Sequence, residues 1–208
     1  MEDYLLILSL LAVPILLAVT VHEVAHGWVA DKLGDPTARL AGRLTLNPFK
    51  HLDPIGTLVF VITRMVGWAK PVPVNPYNLR NPQRDMIWVA AAGPAANILL
   101  ASGFALIYHI FNNWLDFSFG PVTTPVVAMA QMGVYINLGL ATFNILPIPP
   151  LDGSNILMGI LPRDLAIQYE RITPYGFIIL LILIFTNLVS TVLFPIINTM
   201  ADLLLKGI

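Results

Sequence analysis

Long apolar runs separated by shorter polar stretches dominate the pattern of this chain. A helix needs roughly 20 apolar residues to cross a bilayer core about 30 Å thick. Four segments reach that length and predict transmembrane helices, at about 4–31, 86–111, 124–146 and 175–194. A fifth apolar stretch, Ile55 to Ala69, is too short and contains a charge at Arg64, which favours an interfacial or re-entrant element.

The connection from Gly34 to Arg84 interrupts the helical pattern. It is rich in glycine and proline, and the alternating piece Arg39 to Leu46 is typical of a β-strand. We therefore expect a membrane-associated cap at about 34–84, partly strand and partly loop, between the first and second spans. The tail from Pro195 to Ile208 fits an amphipathic interfacial helix or part of a fifth span, and we favour the interfacial helix.

Composition supports a membrane protein throughout. Hydrophobic residues make up 57% of the chain and charged residues 11%, against about 25% charged residues in soluble domains. We predict an all-α polytopic membrane protein with about four transmembrane helices, in which residues 1–208 form a single integral membrane domain. The formal net charge is -1 and the basic residues form no contiguous stripe, which argues against nucleic acid as a partner.

Lysine and arginine placement predicts the orientation. The basic residues between the first two spans are Lys32, Arg39, Arg43, Lys50, Arg64, Lys70, Arg80 and Arg84. Arg163 and Arg171 lie between the third and fourth spans, whereas the loop from Asn112 to Thr123 has no basic residue. The positive-inside rule then places both basic connections in the cytoplasm and the N-terminus outside.

Three ionisable residues stand near the cytoplasmic end of the first run, where His22, Glu23 and His26 form an H-E-x-x-H motif. Such groups cost several kcal/mol in a membrane helix unless they pair or bind something. Residues four apart on a helix are offset by about 40°, so both imidazoles can aim at one zinc ion while Glu23 holds a water beside it. The motif therefore predicts zinc-dependent hydrolysis.

Catalytic zinc usually takes three protein ligands. The chain has no cysteine, so the third ligand must be a histidine or a carboxylate. Asp152 is the strongest candidate because it follows three prolines in four residues, which break the helix at membrane depth and indicate a cavity. The first and third spans both run inward, so Asp152 and the motif should reach the same depth.

Other polar residues compete for that role. His51 and Asp53 in the cap are the alternative, although loop positions or a helix N-cap at Asp53 explain them at least as well. His109 is expected to be an interfacial histidine near the opposite membrane face.

Three short segments of the chain form a distinctive combination. They are the motif at His22 to His26, Gly93-Pro94-Ala95-Ala96-Asn97 in the second span, and Asn144 to Gly153 after the third. In this combination the chain resembles the site-2 protease family of intramembrane zinc metalloproteases. The segment Asn47 to Thr57 also makes it similar to the short bacterial branch of that family, without a PDZ or CBS domain.

The resemblance implies roles for five residues. The zinc ligands, for one ion per chain, are His22, His26 and Asp152. Glu23 is implied as the catalytic base, and Asn144 as a residue that holds the substrate or its oxyanion. Gly93 and Pro94 are explained by close helix packing and a kink, and we give them no catalytic role.

The resemblance also implies a function. We expect a protein of the bacterial inner membrane, with its active site toward the cytoplasm, that cleaves single-pass membrane proteins in or near their transmembrane segments in regulated intramembrane proteolysis. The unwound substrate is expected to pair as a strand with an edge of the cap. Two alternatives stay open. One is a zinc-dependent membrane hydrolase of a small or lipidic substrate, and the less favoured one is a metal transporter.

Overall fold

The computed structural model describes residues 2–63, 68–114 and 120–206. Helices form nearly all of the regular structure in these residues. The α-helices are α1 (Glu2–Lys32), α2 (Thr37–Leu40), α3 (Pro54–Thr63), α4 (Pro82–His109), α5 (Gly120–Asn144), α6 (Asp152–Ile160), α7 (Arg163–Glu170), α8 (Gly176–Phe185) and α9 (Leu188–Lys206). Short 3₁₀ turns lie at Pro48–Lys50, Pro76–Asn78 and Thr173–Tyr175, and a π-helical turn at Ile110–Trp114 extends α4.

Five helical segments in the described part of the chain are long and apolar enough to cross a membrane. They are Ser9–Lys32, Pro82–Asn112, Thr124–Asn144, Arg163–Phe185 and Leu188–Lys206. The first three agree with the predicted spans, and the chain is an integral membrane protein with a helical fold. By length and composition there is one more candidate than the four that the apolar runs predicted.

The centre of the bundle is formed by α1, α4 and α5, with α9 packed against α4 and α5. Small side chains let these helices approach closely. Fully or almost fully buried alanines occur at Ala18, Ala30, Ala101, Ala130 and Ala141. Larger apolar residues fill the remaining space in a cluster that includes Phe104, Val134, Leu138, Leu193 and Ile197.

The run predicted as a fourth span at about 175–194 is divided in two. Asn187 has a φ of +57°, which ends the right-handed helix between α8 and α9. One face of α9 is then buried in the bundle through Leu193, Ile197 and Ala201. The tail as far as Lys206 belongs to a helix that packs against α4 and α5 and is long and apolar enough to cross a membrane, which favours part of a fifth span over the expected interfacial helix.

The cap contains helices and turns rather than the predicted strand. Residues Arg39 to Leu46 begin inside α2, and Gly42, with a φ of +64°, reverses the chain. The backbone N–H of Arg43 closes this turn on the carbonyl of Ala38 at 2.9 Å, as at many helix ends, so no strand forms. Among the described residues, β-structure is limited to one antiparallel bridge between Leu52 and Ala69.

The stretch predicted as interfacial or re-entrant begins with α3. This helix has only ten residues and exposes Ile55, Leu58 and Ile62. A helix of that length spans about 15 Å, half of the hydrocarbon core. Arg64, part of the same prediction, lies outside the described residues.

Asp35 anchors the cap to the end of α1. Its buried carboxylate accepts hydrogen bonds from the backbone N–H groups of Thr37 and Asn75, at 3.1 and 2.7 Å, and from the Asn78 side chain at 2.9 Å. The hydroxyl of Thr37 also donates to it. The first and last parts of the cap are thus joined at one carboxylate.

Candidate metal centre

Three side chains from two helices meet inside the bundle. His22 and His26 lie one turn apart on α1, and Asp152 is the first residue of α6. The Nε2 atoms of the two histidines are 3.1 Å apart. The carboxylate of Asp152 lies 3.3 Å from Nε2 of His22 and 3.4 Å from Nε2 of His26. The structure therefore brings together the three residues that the sequence indicated as metal ligands.

These separations suit a tetrahedral ion. Ligand atoms about 2.0–2.1 Å from a tetrahedral zinc lie about 3.3–3.4 Å from one another. Within the described chain, this is the one group of three or more histidine and acidic side chains whose ligand atoms are close enough to share an ion. Two nitrogens and one carboxylate are also the donor set of many catalytic zinc sites.

The opposite ring nitrogens determine which atoms face this centre. Nδ1 of His26 lies 2.7 Å from the backbone carbonyl of Val89, which can only accept a hydrogen bond. Nδ1 of His26 therefore carries the proton, and Nε2 presents a lone pair to the centre. Metal-binding histidines usually have such a second partner, which fixes the tautomer and the ring orientation.

His22 is oriented in the same way by Asn97 on α4. The amide nitrogen of Asn97 donates to the carbonyl of Ala18, at 3.1 Å, and to Oδ1 of Asn137, at 2.8 Å. Its oxygen must then face Nδ1 of His22, 2.6 Å away, which donates the hydrogen bond. Asn137 itself donates to the carbonyl of Gly133 at 2.8 Å. A buried chain of amides thus joins α1, α4 and α5 behind the metal centre.

The carboxylate of Asp152 is ready to bind a cation. Its Oδ2 atom is buried without a hydrogen-bond partner, and an orphaned buried oxygen is costly unless something pairs with it. The lone pairs of two imidazole nitrogens and a carboxylate oxygen face one another across 3.1–3.4 Å and repel unless a cation lies between them, so these residues fit a zinc ion.

Several close contacts place Asp152 at the end of α5. A Cβ atom on Gly153 would lie 2.0 Å from the carbonyl oxygen of Ile145, so only glycine lets the chain fold back here. The hydroxyl of Tyr169 donates to the carbonyl of Pro147 at 2.9 Å, which braces the preceding loop. The prolines therefore do break the helix as predicted, and the break carries the carboxylate to α1.

Gly93 gives the histidines their space. A Cβ atom at this position would lie 2.4 Å from Nε2 of His26 and 2.6 Å from Cε1 of His22. Close packing was the role expected for Gly93, and the surface that it packs against is the metal centre itself. Any side chain here would enter the volume of the ligands.

Glu23 meets the cap on the adjacent face of α1. Its Oε2 atom accepts a hydrogen bond from the backbone N–H of Val72 at 2.7 Å. The carboxylate is half-buried, between the bundle and an extended cap segment. The other oxygen of Glu23 keeps its capacity to accept a proton.

The remaining candidates have different surroundings. The amide nitrogen of Asn144 donates to the carbonyl of Leu140 in its own helix, at 2.9 Å, so its substrate-binding role stays a prediction. Asp53 accepts from the N–H of Gly56 at 2.8 Å and caps α3, which is the structural explanation foreseen for it.

The two other histidines also bond to the backbone. His51 is fully buried, and its Nε2 donates to the carbonyl of Thr45 at 2.8 Å. His109 contacts the carbonyl of Leu204 at 2.8 Å, which joins the end of α4 to α9. Neither histidine belongs to the group around Asp152.

Sequence reasoning missed the groups that support the ligands. The sequence patterns assign no role to Asn97, although it belongs to the segment that begins at Gly93, and none to Asn137. Both are fully buried polar residues in the middle of predicted spans, and that position was a sufficient signal because such residues are costly in a membrane. Backbone donors and acceptors such as Val72 and Val89 leave no signal in the sequence.

Comparison with known proteins gives consistent results. The model of the family described as Peptidase family M50 matches residues 10–186. Three similar proteins share the name "Putative zinc metalloprotease". YwhC of Bacillus subtilis is 39% identical over 199 residues, 94% of this chain and 89% of its own. Rip2 of Mycolicibacterium smegmatis is 27% identical over 178 residues, 82% of this chain and 64% of its own. MJ0611 of Methanocaldococcus jannaschii is 38% identical over 69 residues, 33% of this chain and 31% of its own. No solved structure matches the chain significantly.

Proposed function

The chain belongs to peptidase family M50, and we propose that it cleaves single-pass membrane proteins in or near their transmembrane segments, as a step of regulated intramembrane proteolysis. It is an intramembrane zinc metalloprotease. The observation that carries the proposal is the meeting of His22, His26 and Asp152 inside an apolar helical bundle. A hydrolytic centre at that depth favours a substrate that is itself in the membrane.

The side chains at this centre have different proposed roles in hydrolysis. His22, His26 and Asp152 hold the metal in this proposal, with both imidazoles fixed by their Nδ1 contacts. When bound, zinc supplies a Lewis acid for the scissile carbonyl and lowers the pKa of a water to about 7. Glu23 accepts the proton of the attacking water at the oxygen that Val72 leaves free, and then donates it to the leaving amine.

Asn144 is the proposed partner of the substrate backbone. It is half-buried at the end of α5, eight positions before Asp152, and its amide nitrogen donates along its own helix. In that orientation the side chain has a further N–H to give to a substrate carbonyl or an oxyanion. This role needs a substrate that has lost its helical hydrogen bonds.

A helical substrate must unwind because its carbonyls are otherwise paired. The cap has an extended segment from Ala69 to Val74 that forms only one bridge, with Leu52. The N–H groups of Lys70 and Val72 are already bonded and Pro71 and Pro73 have none, so this segment would offer mainly carbonyl groups to an opened substrate strand. Strand addition would satisfy the substrate backbone at a depth where water is scarce.

Contacts near the metal centre bear on how α7 and α8 lie in the membrane. The hydroxyl of Tyr169, near the end of α7, bonds to Pro147. Gly176, the first residue of α8, packs so closely on Pro149 that a Cβ atom would lie 2.2 Å from its carbonyl oxygen. These contacts support the proposal that the chain up to Gly176 lies at the same membrane face as Asp152.

The C-terminal end of α9 supports a topology with four membrane crossings. His109 at the end of α4 contacts the carbonyl of Leu204 near the end of α9, so the two helices end at the same face. One net crossing then remains between Gly176 and Leu204, after the crossings of α1, α4 and α5. With the basic residues on the active-site side in the cytoplasm, we place the protein in the bacterial inner membrane, with the beginning of α1 and the end of α9 on the outer side.

Substitution of the catalytic base tests the proposal. Glu23→Gln should retain the fold and zinc but lose at least about 1000-fold in kcat, since the amide keeps the shape but cannot take the proton. The matched control is Glu170→Gln, a similar change at an exposed position on α7. Membrane proteins whose fragments disappear in Glu23→Gln cells, but not in the control, are the substrates. Near-normal proteolysis by Glu23→Gln removes the mechanism, and lipid products without peptide products remove the substrate class.

A further inference from the structure

An extended segment of the cap lies across α1 next to the metal centre. The backbone N–H of Val72 is 2.7 Å from Oε2 of Glu23. The side chain of Val72 is buried against Gly27, one turn beyond Glu23, where an added Cβ atom would lie 2.8 Å from its Cγ1. Both the backbone and the side chain of Val72 are thus seated on the helix that carries the base.

The sequence around Val72 leaves this N–H as a single donor. Pro71 and Pro73 flank it, and proline has no backbone N–H and a fixed φ. Of the three residues, Val72 alone can donate to Glu23 through its backbone. A segment with so few conformations loses little entropy when it is held in place.

The start of the segment is fixed by hydrogen bonds at both backbone groups of Lys70. Its carbonyl accepts from the guanidinium of Arg43 at 2.7 Å. Its N–H donates to the carbonyl of His51 at 2.9 Å. Arg43 is only 8% exposed and His51 is fully buried, so these are interior contacts.

Arg43 is itself rigidly placed. Its backbone N–H closes the turn after α2, where Gly42 has positive φ. The side chain runs from that turn to Lys70, two residues before Val72. A buried guanidinium is costly to desolvate, so its retention here calls for a specific role.

We propose that Arg43 is a positioning residue for the hydrolytic reaction. Its guanidinium fixes the backbone of Lys70, and the proline-restricted segment that follows fixes Val72. The Val72 N–H then holds one oxygen of the Glu23 carboxylate. The other oxygen is thereby held in one orientation for proton transfer. This proposal rests on the proposed role of Glu23 as the base, and Arg43 contacts neither substrate nor metal in it.

The first test compares Val72→Pro with Val72→Ala in the full-length, zinc-loaded protein. Both substitutions replace the buried valine side chain, but only proline removes the backbone N–H. The probe is a quenched fluorescent peptide with one apolar segment of about 20 residues. A hydrogen bond to a charged group corresponds to about tenfold to hundredfold in rate. We expect that loss in kcat for Val72→Pro, a clearly smaller loss for Val72→Ala, and unchanged zinc content in both.

The second test acts at the arginine. Arg43→Met should lower kcat by a similar factor, and Arg43→Lys should recover part of it because its ammonium can still donate to Lys70. The matched control is Arg39→Met, an exposed cap arginine that pairs with Asp31 and should have wild-type kcat. The double variant Arg43→Met/Val72→Pro should be no slower than Val72→Pro alone, since both changes break one connection.

Several outcomes decide against the proposal. Multiplicative losses in the double variant, equal losses for Val72→Ala and Val72→Pro, or faster turnover in Val72→Pro would each overturn it. If Val72→Pro fails to fold or bind zinc, the arginine variants decide alone, and wild-type kcat in Arg43→Met overturns it. Activity in Glu23→Gln instead overturns the proposed function, whatever the arginine variants show.

Discussion

Nδ1 of His22 lies 2.6 Å from Oδ1 of Asn97, and this contact decides which nitrogen of His22 faces the metal centre. The amide of Asn97 cannot turn over without breaking two bonds that its nitrogen donates, to Ala18 and Asn137. The tautomer of His22, a proposed ligand on α1, is thus set by a residue on α4 and, one step further, by a residue on α5. If His22 binds the metal as proposed, packing of the three helices and metal binding are coupled.

Asn97→Ala should lower zinc affinity about tenfold to hundredfold, the usual effect of losing a partner behind a metal ligand. Without the acceptor, His22 can present the wrong tautomer to the centre. Competition with a zinc-selective chelator measures the affinity, and circular dichroism checks that the helices remain. Ser102→Ala on the exposed face of α4 serves as the control and should bind zinc normally. Unchanged affinity in Asn97→Ala would mean that the contact does not orient His22.

Asp152→Ala should reduce zinc from about one ion per chain to a small fraction, because two histidines remain from a three-ligand set. Asp53→Ala should keep its zinc and lose about 1 kcal/mol in the free energy of unfolding, as an N-cap does. Metal analysis of the purified proteins and thermal unfolding measure both effects. If Asp152→Ala retained its zinc while His51→Ala or Asp53→Ala lost it, Asp152 would not be the third ligand.

The three proposed metal ligands were predictable because each breaks a strong local rule. His22 and His26 are ionisable groups in an apolar run, and Asp152 follows prolines that interrupt a predicted span. Helix periodicity and the direction of the spans were then enough to bring them to one depth. The first three candidate membrane helices were also predictable, because length and hydropathy determine them directly.

The cap and the last helices were not predictable in the same way. Alternation at Arg39 to Leu46 indicated a strand, but Gly42 permits a tight helix-ending turn, and the buried bond from Arg43 to Lys70 is a tertiary contact. The break at Asn187 divides an apolar run that has no proline or glycine at that point. Burial of one face of α9 depends on the other helices, which no local pattern reveals.

Gly93→Ala should disrupt the metal centre without much change in the bundle. The added methyl group would lie 2.4 Å from Nε2 of His26, so the ring must move away from the ligand position. We expect at least a tenfold loss in zinc affinity and a corresponding loss in kcat, since small displacements of ligands have large effects. Gly103→Ala on the same helix is the matched control, because a Cβ atom there meets nothing within 4 Å.

That control variant should be equal to wild type or slightly more stable, as alanine is favoured over glycine in a helix by about 1 kcal/mol. Zinc titration and thermal unfolding of the two variants separate the local clash from a general effect of alanine. Normal zinc affinity in Gly93→Ala would show that the histidines can move aside without cost. The close approach would then be packing only.

The number of membrane crossings can be tested without removing any native thiol, because the chain has no cysteine. Single cysteines at Arg80 and Arg163 should be labelled by a membrane-impermeant reagent only from the cytoplasm. Single cysteines at Asn113 and Lys206 should be labelled only from outside. The first three sites follow from lysine and arginine placement, whereas the Lys206 site follows from the contact between His109 and Leu204.

Lys206 separates four crossings from five. If both α7–α8 and α9 crossed fully, a cysteine at Lys206 would be labelled from the cytoplasm, and α9 could not end beside α4 as that contact requires. Labelling of Arg80 and Arg163 from opposite faces would be more serious, because α1 and α5 would then end on different sides. Asp152 could not join His22 and His26 on one metal in that case, so the proposed mechanism depends on these two sites sharing a face.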